Sequence, residues 1–76
     1  IKNPGIIFAE MQGTIMDTMT KLGKKVKQGD SLFVLEAMKM ENVITSPIDG
    51  VIKKFNIKKG QPVKKGELLI EIEARF

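Results

Sequence analysis

The chain has 76 residues, 42% hydrophobic and 29% charged, with 13 Lys and Arg against 9 Asp and Glu and a formal net charge of +4. That length admits one small domain and excludes a two-domain enzyme, and no apolar run approaches the roughly 20 residues a membrane-spanning helix needs, so direct membrane insertion is not expected. Cysteine and histidine are both absent, which removes disulfides, thiolate nucleophiles, metal ligation through those residues and the usual general base near neutral pH, so no catalytic or metal-binding set is expected.

In chain order the predicted strands are Ile6 to Ala9, Thr14 to Thr18, a short piece around Val26, Leu32 to Ala37, Met40 to Thr45, Val51 to Asn56, a short piece around Val63, and Leu68 to Glu73. Turns are expected at Gly23, Gln28-Gly29-Asp30, Ser46-Pro47-Ile48-Asp49-Gly50, Lys59-Gly60 and Lys65-Gly66-Glu67. Short β-branched stretches between closely spaced turn residues are the cadence of an all-β sandwich or barrel. The opening Ile1-Lys2-Asn3-Pro4 lacks an initiator Met and reads as a junction within a longer protein. The missing cysteines fit a reducing compartment such as the cytoplasm, or the mitochondrial matrix of a eukaryote.

An internal repeat organises these strands. Gly13 to Lys39 laid over Gly50 to Phe76, at an offset of 37 without a gap, gives ten identities in 27 pairs. They are Gly13 with Gly50, Ile15 with Ile52, Lys21 with Lys58, Gly23 with Gly60, Val26 with Val63, Lys27 with Lys64, Gly29 with Gly66, Leu32 with Leu69, Glu36 with Glu73 and Ala37 with Ala74. The three glycine pairs are read as turn positions that need positive φ. A unit this short cannot bury its own apolar face, so the halves are expected to pack about a pseudo-twofold axis within one domain spanning residues 1–76. The strand Leu69-Ile70-Glu71-Ile72-Glu73 alternates cleanly, and transfer of its register puts Phe33, Leu35 and Ala37 on the core face with Glu36 outward.

The positive balance raises nucleic-acid binding as a function. Base reading favours Arg forks and single-strand binding favours stacking aromatics, whereas this chain has Arg75 as its single Arg, four Phe and no Trp or Tyr. A solvated lysine surface accounts for the charge, and no nucleic-acid partner is expected. Lys24, Lys25, Lys27, Lys58, Lys59, Lys64 and Lys65 fall in or beside turns. Lys39 differs: it sits in Glu36-Ala37-Met38-Lys39-Met40-Glu41-Asn42, between two strands whose tight connection would place it at a hairpin tip. Three readings of it are open. It is an ordinary turn lysine with Met38 and Met40 dipping into the core; a Schiff-base or general-base lysine, which the neighbouring Glu36 and Glu41 disfavour by holding the ammonium charged; or an exposed amine offered to another enzyme for modification.

Glu36 to Glu41 resembles the signature of the biotinyl, or biotin carboxyl carrier, domains of biotin-dependent carboxylases, in which a Met-Lys-Met core follows a small residue and the lysine carries biotin as an amide. The similarity extends to the strand Leu32 to Leu35, the turn Thr45-Ser46-Pro47-Ile48-Asp49-Gly50 and the segment Gly60 to Glu67. Where the family has Pro-Met-Pro-Gly, this chain has Glu10-Met11-Gln12-Gly13, which makes that turn less rigid. No insertion separates Gly13 from Gly23, so the thumb of some bacterial acetyl-CoA carboxylase carriers is absent, and the resemblance is to the pyruvate carboxylase, acyl-CoA carboxylase and oxaloacetate decarboxylase type.

The resemblance implies a flattened barrel or sandwich of two four-stranded antiparallel sheets, with Lys39 at a hairpin tip. It further implies covalent biotin on Lys39, attached by a biotin protein ligase that recognises Glu36, Ala37, Met38, Met40 and Glu41, and a carboxyl group shuttled between biotin carboxylase and carboxyltransferase sites. The domain would carry and not catalyse. A lipoyl carrier is the nearest alternative, but its lysine is commonly flanked as Asp-Lys-Ala, where this chain has Met38 and Met40; a small basic RNA-binding barrel is a more distant one.

Overall fold

The computed structural model describes residues 5–75, so the opening Ile1 to Pro4 and the last residue of the second repeat, Phe76, lie outside it. Eight strands follow one another as β1 (Ile6–Phe8), β2 (Gly13–Thr18), β3 (Lys25–Val26), β4 (Ser31–Ala37), β5 (Met40–Thr45), β6 (Gly50–Phe55), β7 (Pro62–Val63) and β8 (Leu68–Ala74). They form two four-stranded antiparallel sheets, ordered β1-β8-β6-β3 and β5-β4-β2-β7. Each expected strand is present within a residue or two of its expected bounds.

The two sheets show how the halves depend on each other. Each repeat supplies its long strands to one sheet and its short strand, β3 or β7, to the other. The exchange is clasped symmetrically. Gly23 N–H donates to the Ile52 carbonyl at 2.8 Å and Gly60 N–H to the Ile15 carbonyl at 2.6 Å. In return Ile52 N–H donates to Lys24 and Ile15 N–H to Gln61. Gly23 and Gly60 hold φ of 85° and 86°, which only glycine adopts cheaply. Neither half can therefore bury its face alone.

The core lies between the sheets and repeats the sequence symmetry: Ile15 with Ile52, Val26 with Val63, Leu32 with Leu69, Phe33 with Ile70 and Leu35 with Ile72 are all buried. Phe33, Leu35 and Ala37 face inward as the register predicts, and Glu36 is exposed. Strict alternation misses Leu32 and Leu69, each fully buried beside a buried neighbour. Ladder register shifts between Ser31 and Phe33 and around Ile7 and Phe8 opposite Leu69, so an irregular step turns two successive side chains inward.

Two positions depart from the reading of the repeat. Gly13 and Gly50 are strand residues and do not have positive φ, unlike Gly23, Gly29, Gly60 and Gly66. What requires glycine there is close approach: a Cβ on Gly13 would fall onto the Glu36 carbonyl oxygen, and one on Gly50 onto that of Glu73. The other departure is Thr20, at the repeat position of the buried Ile57. Thr20 is itself buried, 8% exposed, and its hydroxyl has no hydrogen-bond partner among the described residues. An unmatched buried hydroxyl costs about 1 kcal/mol or more, so Thr20→Val should raise stability by about that amount. A urea midpoint unchanged or lowered would show that the hydroxyl is satisfied in solution.

Candidate functional site

The lysine singled out by its surroundings stands at the end of the β4–β5 hairpin. Ala37 pairs with Met40 and Glu36 with Glu41, which leaves Met38 and Lys39 as a two-residue turn. Both have positive φ, 53° and 64°, the mark of a type I′ hairpin turn. That turn twists with the strands it joins, but its usual residues are Asn and Gly. A β-carbon in this region costs roughly 1 kcal/mol or more per residue, so the hairpin holds its apex in a strained conformation. Met38→Asn should therefore stabilise the domain by about 0.5 to 1 kcal/mol. Equal or reduced resistance to urea would contradict a strained turn.

The turn also decides where the flanking thioethers go. Met38 is 83% exposed and Met40 64% exposed, so neither dips into the core as an ordinary turn lysine's neighbours would. Lys39 is exposed and makes no hydrogen bond or ion pair among the described residues. Nothing there desolvates it, which removes the physical basis for a Schiff-base lysine. Apolar, unbranched side chains held out in water around a free amine suit adaptable contact with another protein surface.

Glu36 and Glu41 face each other across the hairpin on the outer side of the sheet, both exposed. Like charges directly opposite destabilise a strand pair slightly, and here no cation pairs with either among the described residues. Ala37 sits differently from its neighbours. It is only 4% exposed, and a Cβ on Gly13 would lie 3.2 Å from its own Cβ. A small residue at 37 is what lets β2 pass closely under the hairpin, so its contribution is to seat the tip.

Beside Lys39 lies an open groove of about 480 Å³ that brings in residues the sequence reading did not assign to the site: Gln12, Thr14, Pro62, Lys64 and Glu67. Pro62, Lys64 and Glu67 arrive because the exchanged strand β7 pairs with Gly13 and Thr14 of β2, next to Gln12. The repeat contained the signal for this, since Pro62 to Glu67 corresponds to Lys25 to Asp30. The strand exchange that carries them over is a tertiary event. Among the described residues no group of three or more acidic, His or Cys side chains could hold a metal, and no helix is long and apolar enough to cross a membrane.

Comparison with known proteins gives this arrangement a family. A model described as biotin-requiring enzyme, Biotin_lipoyl, matches residues 1–72. Pyruvate carboxylase of Bacillus subtilis (strain 168) is 45% identical over 71 residues, covering 93% of this chain and 6% of that protein. The alpha subunit of mouse mitochondrial methylcrotonoyl-CoA carboxylase is 54% identical over 50 residues, covering 66% of this chain and 7% of that protein. Among solved structures, a single-chain, multi-domain long-chain acyl-CoA carboxylase superposes with a TM-score of 0.84 at 28% identity, covering 99% of this chain and 8% of that one. The urea carboxylase of Kluyveromyces lactis superposes with a TM-score of 0.79 at 29% identity, covering 90% of this chain and 6% of that one.

The chain belongs to the biotin-requiring enzyme family and is a biotin carboxyl carrier domain of the kind found in biotin-dependent carboxylases. It spans about 6% of the length of the pyruvate carboxylase it matches.

Proposed function

We propose that Lys39 is the biotin attachment point and that the domain serves as the non-catalytic carrier of a larger carboxylase or decarboxylase. The observation that carries this reading is the strained hairpin tip. It holds an exposed, unpaired amine between two exposed methionines, in a family defined by its requirement for biotin. The residues fit the group: an amide at Lys39 Nζ breaks no hydrogen bond or ion pair among the described residues, and the loss of charge there leaves no buried partner among them unmatched.

A free carboxylate does not acylate an amine unaided, so the reaction needs a biotin protein ligase that presents an activated acyl group and accepts the proton released as the amide forms. Met38 and Met40 supply apolar contact to that ligase, Glu36 and Glu41 fix its register by charge, and the buried Ala37 sets the height of the tip. Bound biotin supplies a ureido nitrogen able to carry a carboxyl group. The chain's own part is to keep the tether's root rigid and outward, so that one short arm serves a biotin carboxylase and a carboxyltransferase in turn. The parent enzyme works in the cytoplasm or, like the relatives described as mitochondrial, in the mitochondrion. Lipoylation is the weaker reading, since Met38 and Met40 stand where a lipoyl lysine has an acidic and a small residue.

The test is carboxyl loading. Biotinylated chain incubated with a free-standing biotin carboxylase, ATP and labelled bicarbonate should retain label, and should lose it on addition of a carboxyltransferase and its acceptor. A biotinylated chain that never takes label would overturn the carrier role while leaving the attachment point intact.

A further inference from the structure

The two sheets do not close on each other at one side. β1 and β5 are outer strands that pair only with β8 and β4, and no ladder joins them. The seam between them is a crevice of about 230 Å³, lined among others by Ile7, Phe8, Met11, Leu35, Asn42 and Ile44. Its floor is core. Its lips carry two exposed apolar side chains, Phe8 52% exposed and Met11 40% exposed, beside the exposed Glu10 and Asn42. Met11 belongs to the irregular segment Glu10 to Gln12, which pairs with no strand and can adjust.

We propose that this seam is the resting berth of the bicyclic ureido ring carried on Lys39, a proposal that rests on Lys39 being the attachment point. Continuity with the hairpin is the first argument. Asn42 lies three residues beyond Lys39 on β5, roughly 10 Å along the strand. The lysine stem and acyl chain together reach that far. Asn42 pairs with Leu35 and Ile44 with Phe33, so both project on the inner face toward the crevice.

Size and chemistry are the second argument. An enclosed cavity of about 150 Å³ admits a benzene ring, and this open crevice, at about 230 Å³, has room for a somewhat larger ring system. A cyclic urea offers a carbonyl between two N–H donors. Asn42 presents both a donor and an acceptor in a wall that is otherwise apolar except for the exposed Glu10, and its side-chain contact is a marginal one, Nδ2 donating to the Met40 carbonyl at 3.5 Å. The groove beside the tip is twice as large and walled by Lys64, Glu36 and Glu67. Such a charged rim suits a protein partner better than an uncharged ring.

Tethering makes weak affinity sufficient. A short arm holds its ring at about millimolar effective concentration, so a millimolar intrinsic Kd keeps it docked about half the time. The experiment uses the 76-residue chain, unmodified and biotinylated, with intact mass recorded first. In the biotinylated chain, methyl signals of Met11 and Ile44 should shift and show cross-relaxation to ring protons. Asn42→Asp should accept biotin normally, lose that cross-relaxation, and be captured by streptavidin about twofold faster than the parent. A full mass increment with shifts confined to residues 36–41, and equal capture rates, would overturn the berth alone. Absence of the increment would remove the attachment point and the berth with it.

Discussion

Replacement of Lys39 by Arg should abolish biotin incorporation while leaving the domain folded. The side chain is exposed and pairs with nothing among the described residues, so its exchange removes no contact, and both residues meet the same backbone cost at φ 64°. Stability should change by less than about 0.5 kcal/mol. Chemistry changes completely: a guanidinium is effectively always protonated and cannot act as the acyl acceptor. Streptavidin blotting after incubation with ligase, biotin and ATP, beside a urea melt, reads both outcomes. Retention of biotin by the Arg variant would place the attachment elsewhere among the lysines. A lost fold would show that Lys39 has a structural role its surroundings do not reveal.

The second large effect is expected in the core. Leu35 and Ile72 occupy equivalent positions of the two repeats, 5% and 1% exposed, and each packs in the layer between the sheets. Truncation of either to Ala should cost about 2 to 5 kcal/mol, which for a domain this small is a large part of its total stability. The consequences should differ. Leu35 pairs with Asn42 within the hairpin that carries Lys39, so its loss loosens the tip as well as the core. Ile72 lies in the opposite sheet, where it pairs with Ile52. Hydrogen exchange at Glu36 and Glu41 should therefore rise more in Leu35→Ala than in Ile72→Ala at matched stability. Unchanged denaturation midpoints in both variants would overturn the face assignment of β4 and β8.

Much of this architecture is legible in the sequence for a specific reason. Turn residues recur every eight to twelve positions, and Ile70, Glu71, Ile72 and Glu73 alternate without ambiguity, so strand bounds and one strand's faces follow from local chemistry. The repeat then transfers that register to Phe33, Leu35 and Ala37, where composition alone is silent. Tertiary geometry hides the rest. Leu32 and Leu69 become core through irregular ladder steps. Gly13 and Gly50 are small because a neighbouring carbonyl passes where a Cβ would sit, a constraint visible only once β2 and β4, or β6 and β8, are side by side.

At the site, the motif identifies Lys39, and the turn signal places it at a tip. Whether Met38 and Met40 point inward is not determined by a Met-Lys-Met sequence alone. The positive φ of Met38 and Lys39 settles it, and that in turn follows from the pairing of Ala37 with Met40. Lys64 and Glu67 reach the neighbourhood only through the exchange of β7 between sheets.

The central claim is that one amine among twelve lysines receives the prosthetic group. Its most direct test is tryptic peptide mapping of the chain after exhaustive reaction with a biotin protein ligase, biotin and ATP. The account predicts a single biotinyl increment confined to the peptide that spans Glu36 to Glu41, with trypsin no longer cutting after position 39. An increment on a peptide from the Lys58 to Lys65 region, or cleavage after Lys39 with neither product carrying an increment, would contradict it.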